Sequence, residues 1–371
     1  MMDTLGCVDN STELKSSLHL NVSENYPVVL VAMLYHSRKG DVFTRVLDSL
    51  KMLDYPKDRI VLLFIDNYSR DGAFESCSSW IRLEGHSYKR VIHVRAEGSP
   101  SRLRNIAFKI AKDMAVDYFS FIDSDVLVDM DFLKRSLYIV RNMGRDKNVV
   151  SVSAVWDVGF ESLDWLEKRY YKWLRGRNAR GQGVFEGAAC NTSACLFDFR
   201  KALNVGFFDE DIRFIEDLDW GRRATRKGYV CLFDSTVVLR HLRKYSLREM
   251  RKYFMTGALS EAKLFLKNGL ALRVAKSILY WLAFLASIPL VANSPIPLLV
   301  LSVLGFLVYS RRAVGLGRVL LFPISIPFRV AKSLALGLGM VYWLFKGYRG
   351  ERVTVDVRDW KVVETVNFAE L

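Results

Sequence analysis

Tyr118-Phe119-Ser120-Phe121-Ile122-Asp123-Ser124-Asp125 decides how this chain is read. A short, mostly apolar run of strand length stops abruptly at two acids one residue apart. Working back towards the N-terminus, three more short apolar runs precede it, at Tyr26 to Leu34, Arg59 to Ile65 and Val91 to Val94. Between them lie segments of helical pattern: Val42 to Leu53, the stretch after Gly72, and Ser101 to Met114. Strands of this length alternating with helices predict βαβ units and a mostly parallel sheet. The expected fold class is α/β, with a Rossmann-like N-terminal domain. In such sheets ligands bind beyond the carboxyl ends of the strands. The polar clusters of this chain occur there, with Asp66 directly after the second run and Asp123 directly after the fourth.

Period-2 strand geometry predicts that Asp123 and Asp125 face one side while Ser124 turns away. Two carboxylates so close repel unless a cation lies between them or one is protonated. Mg²⁺ or Mn²⁺ resolves the conflict, because such ions bind through one or two carboxylates together with substrate phosphates. A metal-bound diphosphate is the expected ligand. An acidic triplet alone is a weak signal, since such residues also cap helices. A second acid at another strand end, Asp66, makes it more specific, although Asp66 and Asp71 also suit an Asx turn.

Five stretches then occur in order: Asp66-Asn67-Tyr68-Ser69-Arg70-Asp71-Gly72, Arg102-Leu103-Arg104-Asn105-Ile106-Ala107, Phe121-Ile122-Asp123-Ser124-Asp125, Gly206-Phe207-Phe208-Asp209-Glu210 and Glu216-Asp217-Leu218-Asp219-Trp220. Together they resemble the successive motifs of family 2 glycosyltransferases of the GT-A fold, over about Tyr26 to His241. The resemblance implies that Asp66 bonds the nucleotide base and that Arg104 is the basic residue near the nucleotide. It implies that Asp123 meets ribose or metal and that Asp125 is the principal metal ligand. Asp217 takes the place of the general base, with Glu216 beside it, and His241 falls where some members have a further metal ligand. Bland roles exist for the same residues: Arg104 as a solvated helix residue, and Glu216 and Asp217 as acids at the positive end of a helix macrodipole. Asn67 stands where many members have a second Asp. No Gln-x-x-Arg-Trp follows Asp217, which speaks against a processive polymerase and for transfer of single sugars.

The charge of the chain is unevenly placed. Of 371 residues, 54 are Lys or Arg and 40 Asp or Glu, a formal net charge of +14, and 51% of the chain is hydrophobic, which excludes disorder. Ala262 to Gly350 holds no acid and eleven bases. These bases bracket apolar runs instead of lying on a polar background, a pattern of membrane and not of nucleic-acid binding. Ser277 to Ser310 is 34 residues free of charge, broken at Asn293-Ser294-Pro295 and Pro297. One crossing needs about 20 residues, so the run predicts a short helical hairpin. Lys276 before it and Arg311-Arg312 after it place that side in the cytoplasm. Val319 to Phe328, with Pro323 and Pro327, and Ser333 to Phe345 predict separate interfacial or re-entrant helices, with a third crossing as the alternative. The alternation of Arg352 to Arg358 predicts a small β ribbon. Residues up to Glu24 lack the apolar centre of an export signal, and five cysteines without paired spacing suit a reducing compartment.

The expected plan is a polar extension (1–24), a GT-A catalytic domain (25–255), a helical membrane region (256–350) and a cytoplasmic β-rich tail (351–371). The protein is expected at the cell membrane, multi-pass, with its catalytic domain on the cytoplasmic side. The resemblance implies inverting, Mn²⁺- or Mg²⁺-dependent transfer of one sugar from a UDP- or GDP-sugar to a lipid-linked acceptor. Trp156, Trp165, Tyr170, Tyr171 and Trp173 offer an aromatic acceptor platform, although such residues at helical spacing are more often core. The alternative is a nucleotidyltransferase or another nucleotide-binding membrane enzyme on a related fold. The oligomeric state is left open.

Overall fold

The computed structural model describes residues 26–37, 41–156, 183–242, 247–310, 317–347, 352–356 and 359–367. They form two units. One gathers the described parts of Met1–Phe208, Asp217–Lys244 and Val353–Leu371, the other those of Asp209–Glu216 and Tyr245–Arg352. The N-terminal extension and the aromatic residues Trp165, Tyr170, Tyr171 and Trp173 lie outside the described residues.

The first unit begins as the sequence predicts: β1 (Val29–Tyr35), α1 (Asp41–Lys51), β2 (Ile60–Asp66), α2 (Ala73–Glu84), β3 (Arg90–Ala96), α3 (Pro100–Asp113) and β4 (Tyr118–Ile122). β5 (Val126–Val128), α4 (Phe132–Lys147), β6 (Val149–Trp156), β7 (Val184–Gly187), β8 (Ala194–Asp198), α5 (Phe199–Val205), α6 (Glu216–Arg226) and β9 (Val230–His241) follow. All seven residues of β2 are buried, as expected of a strand with helices on both faces. Alternation divides β1 between two cores. Val29, Val31 and Met33 join α1, α2 and α4 on one face, while Leu30 and Ala32 join α3, α5 and α6 on the other. Phe108 of α3 is the hub of the second core, with its ring 5.0 to 5.9 Å from those of Phe119, Phe121, Phe197, Phe199 and Phe208.

With β10 (Trp360–Asn367) from the tail included, the sheet runs β10-β3-β2-β1-β4-β8-β6-β9-β5, with β7 on β9. It is mixed where a mostly parallel sheet was expected. β3-β2-β1-β4 are parallel, and so is β6 with β9. β8 runs against both β4 and β6, and β5 and β7 run against β9. Apolar runs mark strands without marking their direction, which accounts for the difference.

The tail departs further. Residues 352–356 are not strand, and β10 spans Trp360–Asn367, pairing antiparallel with β3. The alternation around Val353 and Val355 therefore marks an approach to the sheet. Arg102 secures it, bonding Thr354 and forming an ion pair with Asp359 at 2.7 Å.

The second unit contains α7 (Leu247–Lys267), α8 (Ala271–Ser287), α9 (Ile296–Ser310) and α10 (Gly317–Phe345). The predicted break at Asn293-Ser294-Pro295 separates α8 from α9. Val274–Ala292 is long and apolar enough to cross a membrane. The two separate segments expected around Pro323 and Pro327 are instead one helix of 29 residues running through both prolines. Proline breaks a helix only if the flanking turns do not hold it, and the apolar lengths on either side are helical here. Gly339 lets α10 close on α7, because a Cβ there would lie 2.9 Å from Ala262 Cβ. Leu279, Leu282, Leu299, Val303 and Leu338 are exposed.

One buried group gives the first unit a pH response. His93, fully buried on β3, meets the Tyr35 hydroxyl with Nε2 at 2.6 Å and Ser78 Oγ with Nδ1 at 3.3 Å, and stacks on Phe74. A neutral imidazole satisfies both contacts with one donor and one acceptor. Burial pushes its pKa down to about 4, with Asp66 opposing and Arg95 adding to the drop. A folded pKa below the unfolded value means stability that is complete above about pH 6.5 and lost as pH falls towards 4. His93 should thus remove up to about 3 kcal/mol over that window. Urea unfolding of wild type and His93→Gln at pH 7, 5.5 and 4.5 should show the steeper loss in wild type. Parallel slopes would contradict this account.

Candidate functional site

The carboxyl ends of β2 and β4 carry the predicted strand-end acids, Asp66 and Asp123. Asp66 ends β2 opposite Tyr35 on β1 and Arg95 on β3. Its carboxylate is fully buried, with Oδ1 accepting from the Ser69 amide at 2.9 Å and Oδ2 from Arg95 Nε at 2.8 Å. The Arg95 guanidinium in turn lies 3.8 Å from the Phe74 ring centroid and 5.6 Å from that of Tyr68. Asp66 therefore holds the loop that follows it. A nucleobase reaching Asp66 would have to share an oxygen that already accepts one bond, and the exposed surface at this strand end is Tyr68, in left-handed backbone at φ 51°.

Asn67 is bound in a way an aspartate cannot copy. Its Nδ2 donates to the Gly98 carbonyl at 3.1 Å and its Oδ1 accepts from the Gly98 amide at 3.2 Å. A carboxylate has no donor for the first bond. The clamp fixes the loop that enters α3, where Ser99 caps the helix by accepting from the Arg102 amide and Pro100 opens it. Asn105, one turn on, makes the same double contact with the backbone of Phe208, at 2.9 and 2.7 Å.

β4 stops at Ile122, so the period-2 argument for Asp123 and Asp125 fails. The Val126 amide donates to the Asp123 carbonyl at 3.2 Å, closing a turn. Within it Asp123 keeps 27% of its side chain exposed and Asp125 is almost wholly buried. Arg104 Nη2 lies 3.4 Å from Asp123 Oδ1, so Arg104 is a buried cation beside this turn and not a solvated residue. β5 then pairs with β9, with Val126 opposite His241, and the Leu242 amide donates to the Asp125 carbonyl at 2.8 Å. His241 thus occupies the register position next to the acidic turn; its side chain lies outside the described residues.

Glu216 and Asp217 open α6, where Asp217 Oδ1 accepts from the Leu218 amide at 2.8 Å. What joins this helix to the acidic turn is the small-residue stretch from Gly187 to Ala194, whose role was not legible in the sequence. At one end the Asp123 amide donates to the Ser193 carbonyl at 2.9 Å. In the middle Asn191 is anchored by Ser153, Ala154 and Ser193. At the other end Cys190 Sγ approaches the Asp217 carbonyl at 3.7 Å. Gly221 allows the closeness, because a Cβ there would sit 2.5 Å from Ala189 Cα. An isolated glycine inside the α6 helical pattern was the available signal.

Among the described residues no three of His, Cys, Asp or Glu gather as a metal cage. Two carboxylates of one turn, with the remaining positions left to phosphate and water, are nevertheless the donor set that Mg²⁺ or Mn²⁺ uses. Asp125 and Asp123 are the residues that would hold it.

Residues 31–207 match the Glycosyl transferase family 2 profile. A glycosyltransferase 25 family member of Drosophila pseudoobscura pseudoobscura is 30% identical over 135 residues, which is 31% of this chain and 21% of that protein. One of Anopheles gambiae is 26% identical over 182 residues, 43% of this chain and 30% of the relative. The chain thus spans less than a third of the length of either. Among solved structures, the mannosyltransferase PcManGT from Pyrobaculum calidifontis, in complex with GDP-Man and Mn²⁺, superposes with a TM-score of 0.54 at 17% identity, covering 87% of this chain and 89% of that one. That likeness is one of fold, the GT-A α/β architecture. The profile match spans the strand-end acids Asp66, Asp123 and Asp125 and takes in just under half of the chain, and over that segment the chain is similar to family 2 glycosyltransferases.

Proposed function

We propose that the chain moves a single sugar from a UDP- or GDP-sugar to a lipid-linked acceptor, a polyprenyl or dolichyl phosphate or a lipid-linked saccharide, with inversion at the anomeric carbon. The observation that carries this reading is the bridge from the Asp123 amide through Ser193 and Cys190 to Asp217, which ties the donor-side acids to the acceptor-side acid. The nucleotide sugar and Mn²⁺ of the mannosyltransferase that shares the fold support the choice of donor and metal.

The chemistry follows from charge. As the sugar leaves, negative charge grows on the diphosphate, and a divalent ion held by Asp125 and Asp123 would supply Lewis-acid stabilisation when bound. Arg104, beside Asp123, adds a fixed positive charge on the same side. An acceptor entering from the opposite face displaces the nucleotide in line. A sugar hydroxyl must lose a proton as it attacks, and an Asp217 oxygen takes it. A lipid phosphate is already an anion and needs no base. Asp66 and Asn67 organise the loop that receives the base, and Tyr68 stacks against it.

For the membrane, the proposal is that α8 and α9 enter the bilayer as a hairpin with α10 along its cytoplasmic surface, so that the first unit faces the cytoplasm. The length and apolar content of Val274–Ala292 support this, as do the exposed leucines and valines of α8 to α10. Lys276, Arg311 and Arg312 flank the hairpin, and each base near an anionic surface is worth about 1 kcal/mol.

Purified protein incubated with labelled UDP- and GDP-sugars, Mn²⁺ or Mg²⁺ and extracted membrane lipid should carry label into the organic phase. Asp125→Ala should lower the rate by about 10² to 10³-fold, and full activity in that variant would refute the assignment. Asp217→Asn separates the acceptors. A loss of about 10² to 10⁴-fold marks a hydroxyl, and a loss under about tenfold marks a phosphate.

A further inference from the structure

Within the second unit, Lys263 on α7 is only 1% exposed, and lysine is almost never so buried unless paired. Its ammonium lies 2.8 Å from Asp209 Oδ1, 2.8 Å from Asp211 Oδ2 and 5.1 Å from the centroid of the Trp343 ring. Lys267 reaches the other Asp209 oxygen at 3.2 Å. Arg352 approaches Asp211 at 3.6 Å, and its carbonyl accepts from the Glu210 amide at 2.9 Å. Burial pushes the Asp209 pKa up, and the hydrogen bond and charge of Lys263, with those of Lys267, more than reverse this, leaving it below the ordinary value.

Further along the same loop the Phe214 amide donates to Ser260 Oγ at 3.2 Å, and a Cβ on Gly257 would lie 3.3 Å from the Phe214 ring. Positions 257, 260, 263 and 267 follow helical spacing and form one face of α7. That face is given over to holding Asp209–Phe214. The next residue, Ile215, has φ 62°, a left-handed conformation that a β-branched side chain avoids. Such strain persists only where the surroundings over-determine it. Glu216 and Asp217 follow immediately in the chain.

We infer that Lys263 is a positioning residue for sugar transfer: by neutralising Asp209 and Asp211 it clamps residues 209–214 to α7 and thereby holds the strained Ile215 that sets Asp217. The inference rests on the reading of Asp217 as the acceptor-side base. It also makes α7 a mechanical link in the reaction, because α10 packs on it through Gly339 and Trp343, whose indole donates to the Leu259 carbonyl at 2.9 Å.

The test uses the full chain in nanodiscs of mixed neutral and anionic lipid, with steady-state transfer and hydrogen–deuterium exchange measured side by side. Lys263→Met should lower kcat at least about tenfold, as a small misplacement of a catalytic group does. Donor KM should stay within about twofold, since donor binding is left intact. Exchange across 209–217 should rise while that across 118–128 stays unchanged. Lys263→Arg should restore most of kcat, and Lys263→Met placed on Asp217→Asn should cost little more. Asp211→Asn, at a partly exposed partner, should shift kcat and exchange in the same direction and decides the matter if Lys263→Met does not fold. Unchanged exchange across 209–217, or a rise in KM matching the fall in kcat, would overturn the inference. Wild-type protein that transfers no sugar would instead refute the functional reading, and the exchange data would still judge the clamp.

Discussion

Removing a carboxylate from water costs several kcal/mol unless a cation and hydrogen bonds replace the solvent. This protein meets that demand repeatedly: Asp66 with Arg95, Asp123 with Arg104, Asp219 with Arg223, Asp234 with Arg135, and Asp209 with Lys263 and Lys267. Most of these pairs join segments distant in the chain, whereas Asp219 and Arg223 lie one turn apart on α6. Arg135 on α4 holds the bend in β9 at Asp234, and Arg223 on α6 donates as well to the carbonyls of Val205 and Phe207. Each of these acids thus has a fixed positive group beside it. What differs among them is exposure, and Asp123 retains the most among the strand-end acids.

Neutral amides do the finer placement. Asn67 and Asn105 each satisfy the backbone of another loop with both ends of a carboxamide, at the entry to α3 and at Phe208, while Asn191 bonds the Ala154 carbonyl of β6 and the Ser193 amide of its own turn beside the acidic turn. Buried backbone groups left unpaired are costly, so these side chains decide where irregular segments lie. The departure of Asn67 from the family pattern acquires a structural reason in this way. It belongs to the loop architecture, whatever it does for the base.

The parts legible in the sequence were those governed by short-range pattern. β1 to β4 show as apolar runs, Asp66 and Asp123 show as acids at their ends, and the proline-containing break divides α8 from α9 where it should. Pattern could not say that Asp123 turns out of the strand, because the turn depends on the amide of Val126 and on Ser193, seventy residues on. Nor could it say that the helix from Gly317 passes two prolines, or that β8 enters the sheet antiparallel. Lys263 read as one more base in an acid-free segment. Its partners, Asp209 and Asp211, lie more than fifty residues earlier, outside that segment.

The outermost strand at the β3 edge comes from the far end of the chain, for β10 pairs Asn367 with Arg90 and Trp360 with Ala96. Until it arrives, β3 presents an open row of amides and carbonyls, the kind of edge that recruits foreign strands. During synthesis some 260 residues, including every apolar helix of the second unit, leave the ribosome between the two partners. Closure of the sheet at this edge is therefore a late event in biogenesis, one that follows synthesis of the whole helical region.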